Sequence, residues 1–142
     1  MTDDHGTSSS RQPSAVFGRL IAGISAGRWG ELADLYAPDA VVRQPFAPPG
    51  GPASATIEGH EQLRTHFAQA AQLPFELTAR NVVVHETGDP EVVIAEFDYD
   101  IHVLATGAHA SASNIQVLRI RDGLITATRD YHDHRALAAA LG

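Results

Sequence analysis

The fold is decided by the stretch that runs from Val92 to His132, VVIAEFDYDIHVLATGAHASASNIQVLRIRDGLITATRDYH. Apolar and polar residues alternate along it, which is typical of β-strands with one buried face. Thr106-Gly107 and Arg121-Asp122-Gly123 interrupt the alternation, and an Asp-Gly step is a strong signal for a tight hairpin. The stretch therefore predicts antiparallel strands over Val92–Val103, His109–Ile120 and Leu124–Tyr131.

The residues on either side complete an α+β pattern. A strand is predicted over Phe75–Glu86, which makes a four-strand meander, and a shorter one over Ala40–Phe46. Apolar residues at helical spacing predict helices that begin at Pro13 or Ser14 and end at Gly27, and others over Trp29–Tyr36, Gly59–Ala71 and Asp133–Leu141. Helices first and a meander afterwards indicate a curved sheet wrapped around helices packed on one face.

Length and composition limit the class of protein. The 142 residues fit a single domain over 13–142, preceded by a polar tail over 1–12 that we expect to be disordered. The chain has no cysteine and no lysine, which excludes disulfides, thiolate nucleophiles, cysteine metal sites and lysine Schiff bases. A net charge of −7 without an arginine cluster predicts no nucleic-acid partner. The lack of a long apolar run or a signal-like N-terminus predicts a cytoplasmic protein that does not cross membranes.

Two of the predicted strands carry acids and histidines at alternate positions. Glu96, Asp98, Asp100 and His102 share one face of their strand, and Phe97, Tyr99, Ile101 and Val103 share the other. The usual interpretation puts the apolar face in the core and the acidic face in water. Asp130 and His132 alternate in the same way near the end of the last strand. If the acidic faces meet in one cavity, Asp100 and Asp130 could share a proton and act as an acid and a base.

A metal site is a weaker interpretation of the same residues. Asp130, His132 and His134 offer carboxylate and imidazole groups at alternate positions, but this spacing is not specific. We therefore expect no metal and no cofactor. The other histidines are expected to be incidental: His5, His60, His66, His85 and His109.

Four short motifs resemble one family along residues 14–141: Ser25-Ala26-Gly27-Arg28, Leu35-Tyr36-Ala37-Pro38-Asp39-Ala40, Ile57-Glu58-Gly59 and Arg121-Asp122-Gly123. They resemble the SnoaL-like proteins of the nuclear-transport-factor-2-like superfamily. The resemblance implies a cone-shaped, curved sheet, mixed or antiparallel, around the N-terminal helices. It also implies a homodimer through the outer face of the sheet.

Within the superfamily, Arg129-Asp130-Tyr131 and Thr106-Gly107 look most like limonene epoxide hydrolase. That resemblance puts the two aspartates of the family on Asp100 and Asp130, and its water-binding asparagine on Gln44. The bridging arginine falls on Asp98 and the tyrosine on Val42, so the family's set is incomplete here. The resemblance also implies that Asp98, Asp100 and His102 face the pocket. Phe97, Tyr99 and Ile101 would then face the back of the sheet.

Other relatives are matched less well. The oxyanion and base positions of ketosteroid isomerase fall on Gln44, Leu20 and Gln116, which do not retain that chemistry, whereas the acid-base aspartate of the SnoaL polyketide cyclase falls on Asp130.

Two functions follow as hypotheses. The first is an acid-base enzyme acting on a small, largely apolar molecule by epoxide opening or polyketide-type cyclisation. Asp100 and Asp130 would act as the pair, with His102 or His132 tuning them or relaying a proton and Gln44 orienting water or substrate. The pocket would be lined by Phe17, Leu20, Trp29, Val42, Phe46, Phe67, Asp98 and Gln116. The alternative is a non-catalytic module of the same fold that holds a hydrophobic ligand.

Overall fold

The computed structural model describes residues 10–51 and 54–141. The helices are α1 (Pro13–Ser25), a 3-10 helix (Trp29–Leu35), α2 (Gly59–Ala70) and α3 (His134–Leu141). The strands are β1 (Tyr36–Arg43), β2 (Thr56–Glu58), β3 (Phe75–Glu86), β4 (Val92–Val103), β5 (His109–Arg121) and β6 (Leu124–His132). Each predicted helix and strand has a counterpart within a few residues of its predicted bounds.

The strands form one sheet in the order β2-β1-β6-β5-β4-β3. The predicted antiparallel meander from β3 to β6 is confirmed, while β1 lies parallel to β6 and antiparallel to β2. The α+β class with a curved mixed sheet is therefore confirmed. Parallel pairing of β1 and β6 requires a long connection between them, and the rest of the sheet supplies it.

The first strand differs from its prediction. β1 begins at Tyr36 rather than Ala40 and ends at Arg43 rather than Phe46. Its pairing with β6 is irregular between Tyr36 and Val41, and Pro38 lies in that irregular part. Proline donates no backbone hydrogen bond, so a strand tolerates it where the ladder is interrupted. The sequence pattern did not predict the three-residue β2.

The core lies between the helices and the inner face of the sheet. From α1 it takes Phe17 and Leu20, which are almost completely buried, and from α2 it takes Leu63 and Phe67. The rings of Phe17 and Phe97 lie 5.7 Å apart, which joins α1 to β4. These contacts explain the helical spacing of apolar residues in the sequence.

β4 turns its apolar residues inward. Phe97, Tyr99 and Ile101 are at most 4% exposed, whereas the alternate set, with Asp98 and Asp100, lies on the outer face. The usual interpretation of the alternation is confirmed, and the orientation taken from the family resemblance is wrong. Burying the aromatic set removes apolar surface from water, whereas burying the acidic set would leave carboxylates poorly solvated.

The described part of the predicted tail contacts the domain. Arg11 lies against the β5–β6 turn, and its guanidinium is 3.4 Å from the carbonyl oxygen of Asp122. The rest of the predicted tail, over 1–9, lies outside the described residues. Across 10–51 and 54–141, every helix is too short or too polar to cross a membrane.

Candidate functional site

The register of the sheet separates the two aspartates expected to act as a pair. Asp130 is opposite Gln116, which is opposite Ala95, so Asp130 shares the inner face with Phe97 and Tyr99. Asp100 has the other parity in β4 and lies on the outer face. Side chains on opposite faces of one sheet cannot share a proton directly. The predicted Asp100–Asp130 pair is therefore wrong.

The side chains on the acidic face of β4 contact other side chains at the protein surface. Asp100 is 3.0 Å from Nδ1 of His109, and Nδ1 of His102 is 3.2 Å from Glu76. Asp98 accepts hydrogen bonds from its neighbours, Asn81 and Ser113, which hold its pKa below the usual value. Contrary to the expectation from the family resemblance, Asp98, Asp100 and His102 do not line the interior. The pleat that buries Phe97 turns them outward.

Asp130 is the ionisable centre of the inner face. It is 7% exposed, and burial raises its pKa from 3.8 to about 7. Thr128 and Gln116 oppose this rise by favouring the ionised form. They do so without well-formed hydrogen bonds, since Asp130 Oδ1, Thr128 Oγ1 and Gln116 Oε1 have no hydrogen-bond partner within residues 10–51 and 54–141. Buried polar atoms without partners are uncommon, and here they converge on one carboxyl.

His132 is held next to Asp130 in a defined tautomer. Its Nδ1 lies 2.9 Å from Oδ1 of Asn114, whose own Nδ2 donates to the carbonyl oxygen of Ala112. Because Oδ1 can only accept, His132 Nδ1 carries the hydrogen. Burial lowers the pKa of His132 to about 4, with smaller effects of His134 and His66, so the ring is neutral at pH 7. Its unprotonated Nε2 lies 3.8 Å from Asp130 Oδ2, too far for a hydrogen bond.

Two buried tyrosines complete the polar cluster. Tyr36 and Tyr99 are each 4% exposed. Burial first, and then the charge of Asp130, raises the pKa of both phenols above the usual value of 10. The phenols therefore stay protonated and can donate hydrogen bonds near Asp130. We define the inner cluster as Asp130, His132, Asn114, Gln116, Thr128, Tyr36 and Tyr99.

The remaining predicted pocket residues divide between the inside and the outside. Buried in the interior are Phe17, Leu20, Val42, Phe67 and Gln116, and Trp29 is partly buried against Phe67. Phe46 is 67% exposed and packs on Tyr131, so it lies outside the buried core and lines a groove at the surface instead. It follows the end of β1, where the chain leaves the sheet. Gln44 is buried, but its Nε2 donates to the carbonyl oxygen of Ser54, so this amide nitrogen holds the loop between β1 and β2.

The inner cluster contains residues that the sequence interpretation missed. Tyr36, Tyr99, Asn114 and Thr128 were not predicted as site residues, and His66, predicted as incidental, lies near enough to lower the pKa of His132. A usable signal was present in β5 and β6, where Asn114 and Gln116, and Thr128 and Asp130, are polar residues two apart. Buried polar positions on an otherwise apolar face indicate a site rather than a core.

The described residues, 10–51 with 54–141, contain no group of three or more histidine, aspartate or glutamate side chains arranged to hold a metal ion. The possible set of Asp130, His132 and His134 relied on strand alternation. That alternation stops at His132, because His134 begins α3.

A groove of about 720 Å³ borders the inner cluster, because its lining includes Asn114 and His132. Its apolar wall includes Phe46, Val83, Ile115 and Tyr131, and its polar wall includes Asp98. Val83 is 49% exposed and Ile115 is 43% exposed. The groove therefore joins exposed apolar residues of the outer face to two members of the inner cluster.

Comparison with known proteins gives the family. The sequence model of the SnoaL-like domain family matches residues 17–128. An uncharacterized PhzA/B-like protein of Pseudomonas aeruginosa is 35% identical over 126 residues, which are 87% of this chain and 84% of that protein. A crystal structure of a candidate isomerase from Bacillus subtilis superposes with a TM-score of 0.82 at 28% identity, over 92% of each chain.

More distant structures share the fold. A phenazine biosynthesis-related protein of Pseudomonas aeruginosa is 19% identical, with a TM-score of 0.76, over 97% of this chain and 90% of the other. Together with the fold and the buried polar cluster, the matches establish that the chain belongs to the SnoaL-like domain family.

Proposed function

We propose that this protein is a small-molecule acid-base enzyme of the cyclase or isomerase type, in which Asp130 alone transfers the proton. One observation carries the proposal: a buried carboxyl with a pKa of about 7 has an oxygen without a hydrogen-bond partner in the part of the chain that the structure describes, inside a polar cluster of an otherwise apolar interior. A carboxyl with this pKa is present in both forms at neutral pH. It can therefore take a proton from one atom of a substrate and return it to another.

The other members of the inner cluster have complementary roles. The phenols of Tyr36 and Tyr99 are donors that would stabilise an oxyanion formed when Asp130 removes a proton next to a carbonyl group. The unprotonated Nε2 of His132 would accept a hydrogen bond from the protonated form of Asp130 once the two groups move closer than 3.8 Å. Asn114 is a positioning residue, since it fixes the tautomer of His132.

The relatives support chemistry on a small molecule. The Bacillus subtilis structure at 28% identity is described as a candidate isomerase, and the more distant structures include candidate polyketide cyclases and the phenazine biosynthesis-related protein. The chemistry of the inner cluster fits a small, largely apolar substrate with an acidic C–H bond beside a carbonyl group. Epoxide opening by an aspartate pair is not retained in the proposal, because the sheet separates Asp100 from Asp130.

The proposal includes the expected assembly and location. We infer a homodimer through the outer face of the sheet, where Val83 and Ile115 are exposed. A cytoplasmic location stays a prediction from the sequence.

Proton exchange tests the function without knowledge of the substrate. The protein is incubated in D2O with a panel of small cyclic and polyketide-like ketones, and deuterium uptake beside the carbonyl is followed by NMR. We expect catalysed exchange for at least one ketone in the wild type, a loss of at least about 100-fold in Asp130→Asn, and unchanged exchange in Asp100→Asn. Exchange that survives in Asp130→Asn but is lost in Asp100→Asn would contradict the assignment. Tight ketone binding without exchange would favour the non-catalytic module.

A further inference from the structure

A second group of histidines lies on the outer face, at the turn that joins β4 to β5. His102 and His109 are directly opposite each other in the antiparallel ladder. Their rings are stacked, with centroids 4.7 Å apart and planes at 9°. The sheet thus holds two imidazoles side by side on neighbouring strands. This pair is independent of the inner cluster, because it lies on the opposite face.

Each imidazole is oriented by a carboxylate. His102 Nδ1 lies 3.2 Å from Glu76 Oε1, and His109 Nδ1 lies 3.0 Å from Asp100 Oδ2. A carboxylate only accepts hydrogen bonds, so Nδ1 carries the hydrogen in both rings. In the neutral ring the lone pair is then on Nε2. Neither Nε2 has a hydrogen-bond partner among residues 10–51 and 54–141.

We propose that His102 and His109 bind one divalent transition-metal ion, such as Zn²⁺, through their two Nε2 atoms. Imidazole nitrogen is a preferred ligand of these ions. A carboxylate that accepts from the second ring nitrogen is the usual outer partner of a metal-binding histidine, and Glu76 and Asp100 already have that position. The protein supplies two ligands and water supplies the others, in keeping with the lack of any three-ligand group within 10–51 and 54–141.

The turn beyond the pair keeps the two strands together. The backbone nitrogen of Val103 donates to Ala108 at 2.8 Å, and that of Gly107 donates to Val103 at 2.8 Å. Side chains directly opposite in such a ladder have Cβ atoms about 4.5–5.5 Å apart. Because the rings are stacked, their Nε2 lone pairs do not converge, and a metal–nitrogen distance of about 2.0–2.1 Å to both requires the two rings to rotate, with the carboxylates of Glu76 and Asp100 following them. The side chains are 38% and 59% exposed, so an ion has access from solvent.

The experiment titrates the full chain with ZnCl2 by isothermal titration calorimetry and follows the imidazole nitrogens by ¹⁵N NMR. We expect one site per chain, with coordination shifts at Nε2 of His102 and His109. His102→Gln and His109→Gln should each weaken this site by at least about tenfold, because either change leaves one ligand. Glu76→Gln and Asp100→Asn should weaken it by about tenfold while leaving one site.

His85→Gln is the matched control. His85 is also exposed and lies 2.6 Å from a carboxylate, that of Glu96, but the residue opposite it is Ile94. It therefore offers a single oriented imidazole, and its loss should leave zinc affinity unchanged. Zinc binding that is unaffected in both His102→Gln and His109→Gln, or that falls equally in His85→Gln, would overturn the proposal. Circular dichroism of each variant separates loss of the site from loss of the fold.

Discussion

Asp130 is the residue on which the account of function depends. Its environment keeps the carboxyl neutral through a pH range in which an exposed aspartate is ionised. The cause is the inner face of β6, where Asp130 follows the buried Thr128 and faces Gln116 rather than a cation. A protein that needed only stability would not place an acid there, because its ionised form is poorly solvated.

The raised pKa predicts a pH-dependent cost to stability. A carboxyl whose pKa is higher in the folded than in the unfolded state contributes most to the free energy of unfolding below about pH 4. That contribution is lost as the pH rises through about 7. Asp130→Asn removes this loss. The variant should therefore gain stability relative to the wild type between pH 4 and 8, by up to roughly 4 kcal/mol. Urea unfolding at several pH values measures the difference. A difference that does not change with pH would show that Asp130 titrates alike in the folded and unfolded states.

The neutral state of His132 gives a second prediction at this scale. Asn114→Asp replaces the amide oxygen that accepts from Nδ1 by a carboxylate, which favours the charged ring. The pKa of His132 should rise clearly above its value of about 4. Imidazole ¹⁵N NMR measures both this pKa and the tautomer. Asn114→Gln is the neutral control, and an equal rise in both variants would mean that the charge is not the cause.

At the scale of elements, the sequence predicted the meander because each signal was local. Alternation over β4 and the Asp122-Gly123 step required nothing beyond neighbouring residues. The face that β4 buries was also predictable from Phe97, Tyr99 and Ile101. What the sequence could not predict was how β4 and β6 are aligned across the sheet, and that alignment decides whether Asp100 and Asp130 meet. Similarly, a three-residue strand such as β2 exists only because β1 is there to pair with it.

The β5–β6 turn yields a prediction about backbone conformation. Asp122 has φ 53° and Gly123 has φ 79°, so both residues occupy the left-handed region, as a two-residue type I′ hairpin requires. Gly123→Ala should destabilise the protein by about 1 kcal/mol, since a Cβ is disfavoured there. Asp122→Asn should leave stability unchanged, because asparagine also tolerates this region. Urea unfolding compares the two, and equal effects would contradict the turn assignment.

At the scale of the whole molecule, the two faces of the sheet have different chemistry. The inner face holds the inner cluster within an apolar core, and the outer face presents acidic residues, paired histidines and the apolar wall of the groove. Membership of the SnoaL-like domain family establishes the fold. It does not by itself assign a reaction, because one fold supports several chemistries. The reaction is therefore inferred from the inner cluster.

The apolar wall of the groove predicts how two copies of the chain associate. Ile115 lies in the apolar wall and is 43% exposed. If a second copy covers this wall, Ile115→Asp should convert a dimer to a monomer, because burial of an unpaired carboxylate is costly. Leu104→Asp is the control, since Leu104 is 54% exposed but does not line the groove. Sedimentation equilibrium measures the mass. A wild type that is monomeric, or a dimer that survives Ile115→Asp, would contradict this assembly.

The most direct test of the central claim is a carboxyl-detected NMR titration of Asp130, assigned by comparison with Asp130→Asn. The account predicts that this carboxyl titrates near pH 7, while its phenol neighbours stay protonated throughout. An Asp130 that titrates near 4, as an exposed aspartate does, would contradict the proposal that this residue is the acid-base group of the protein.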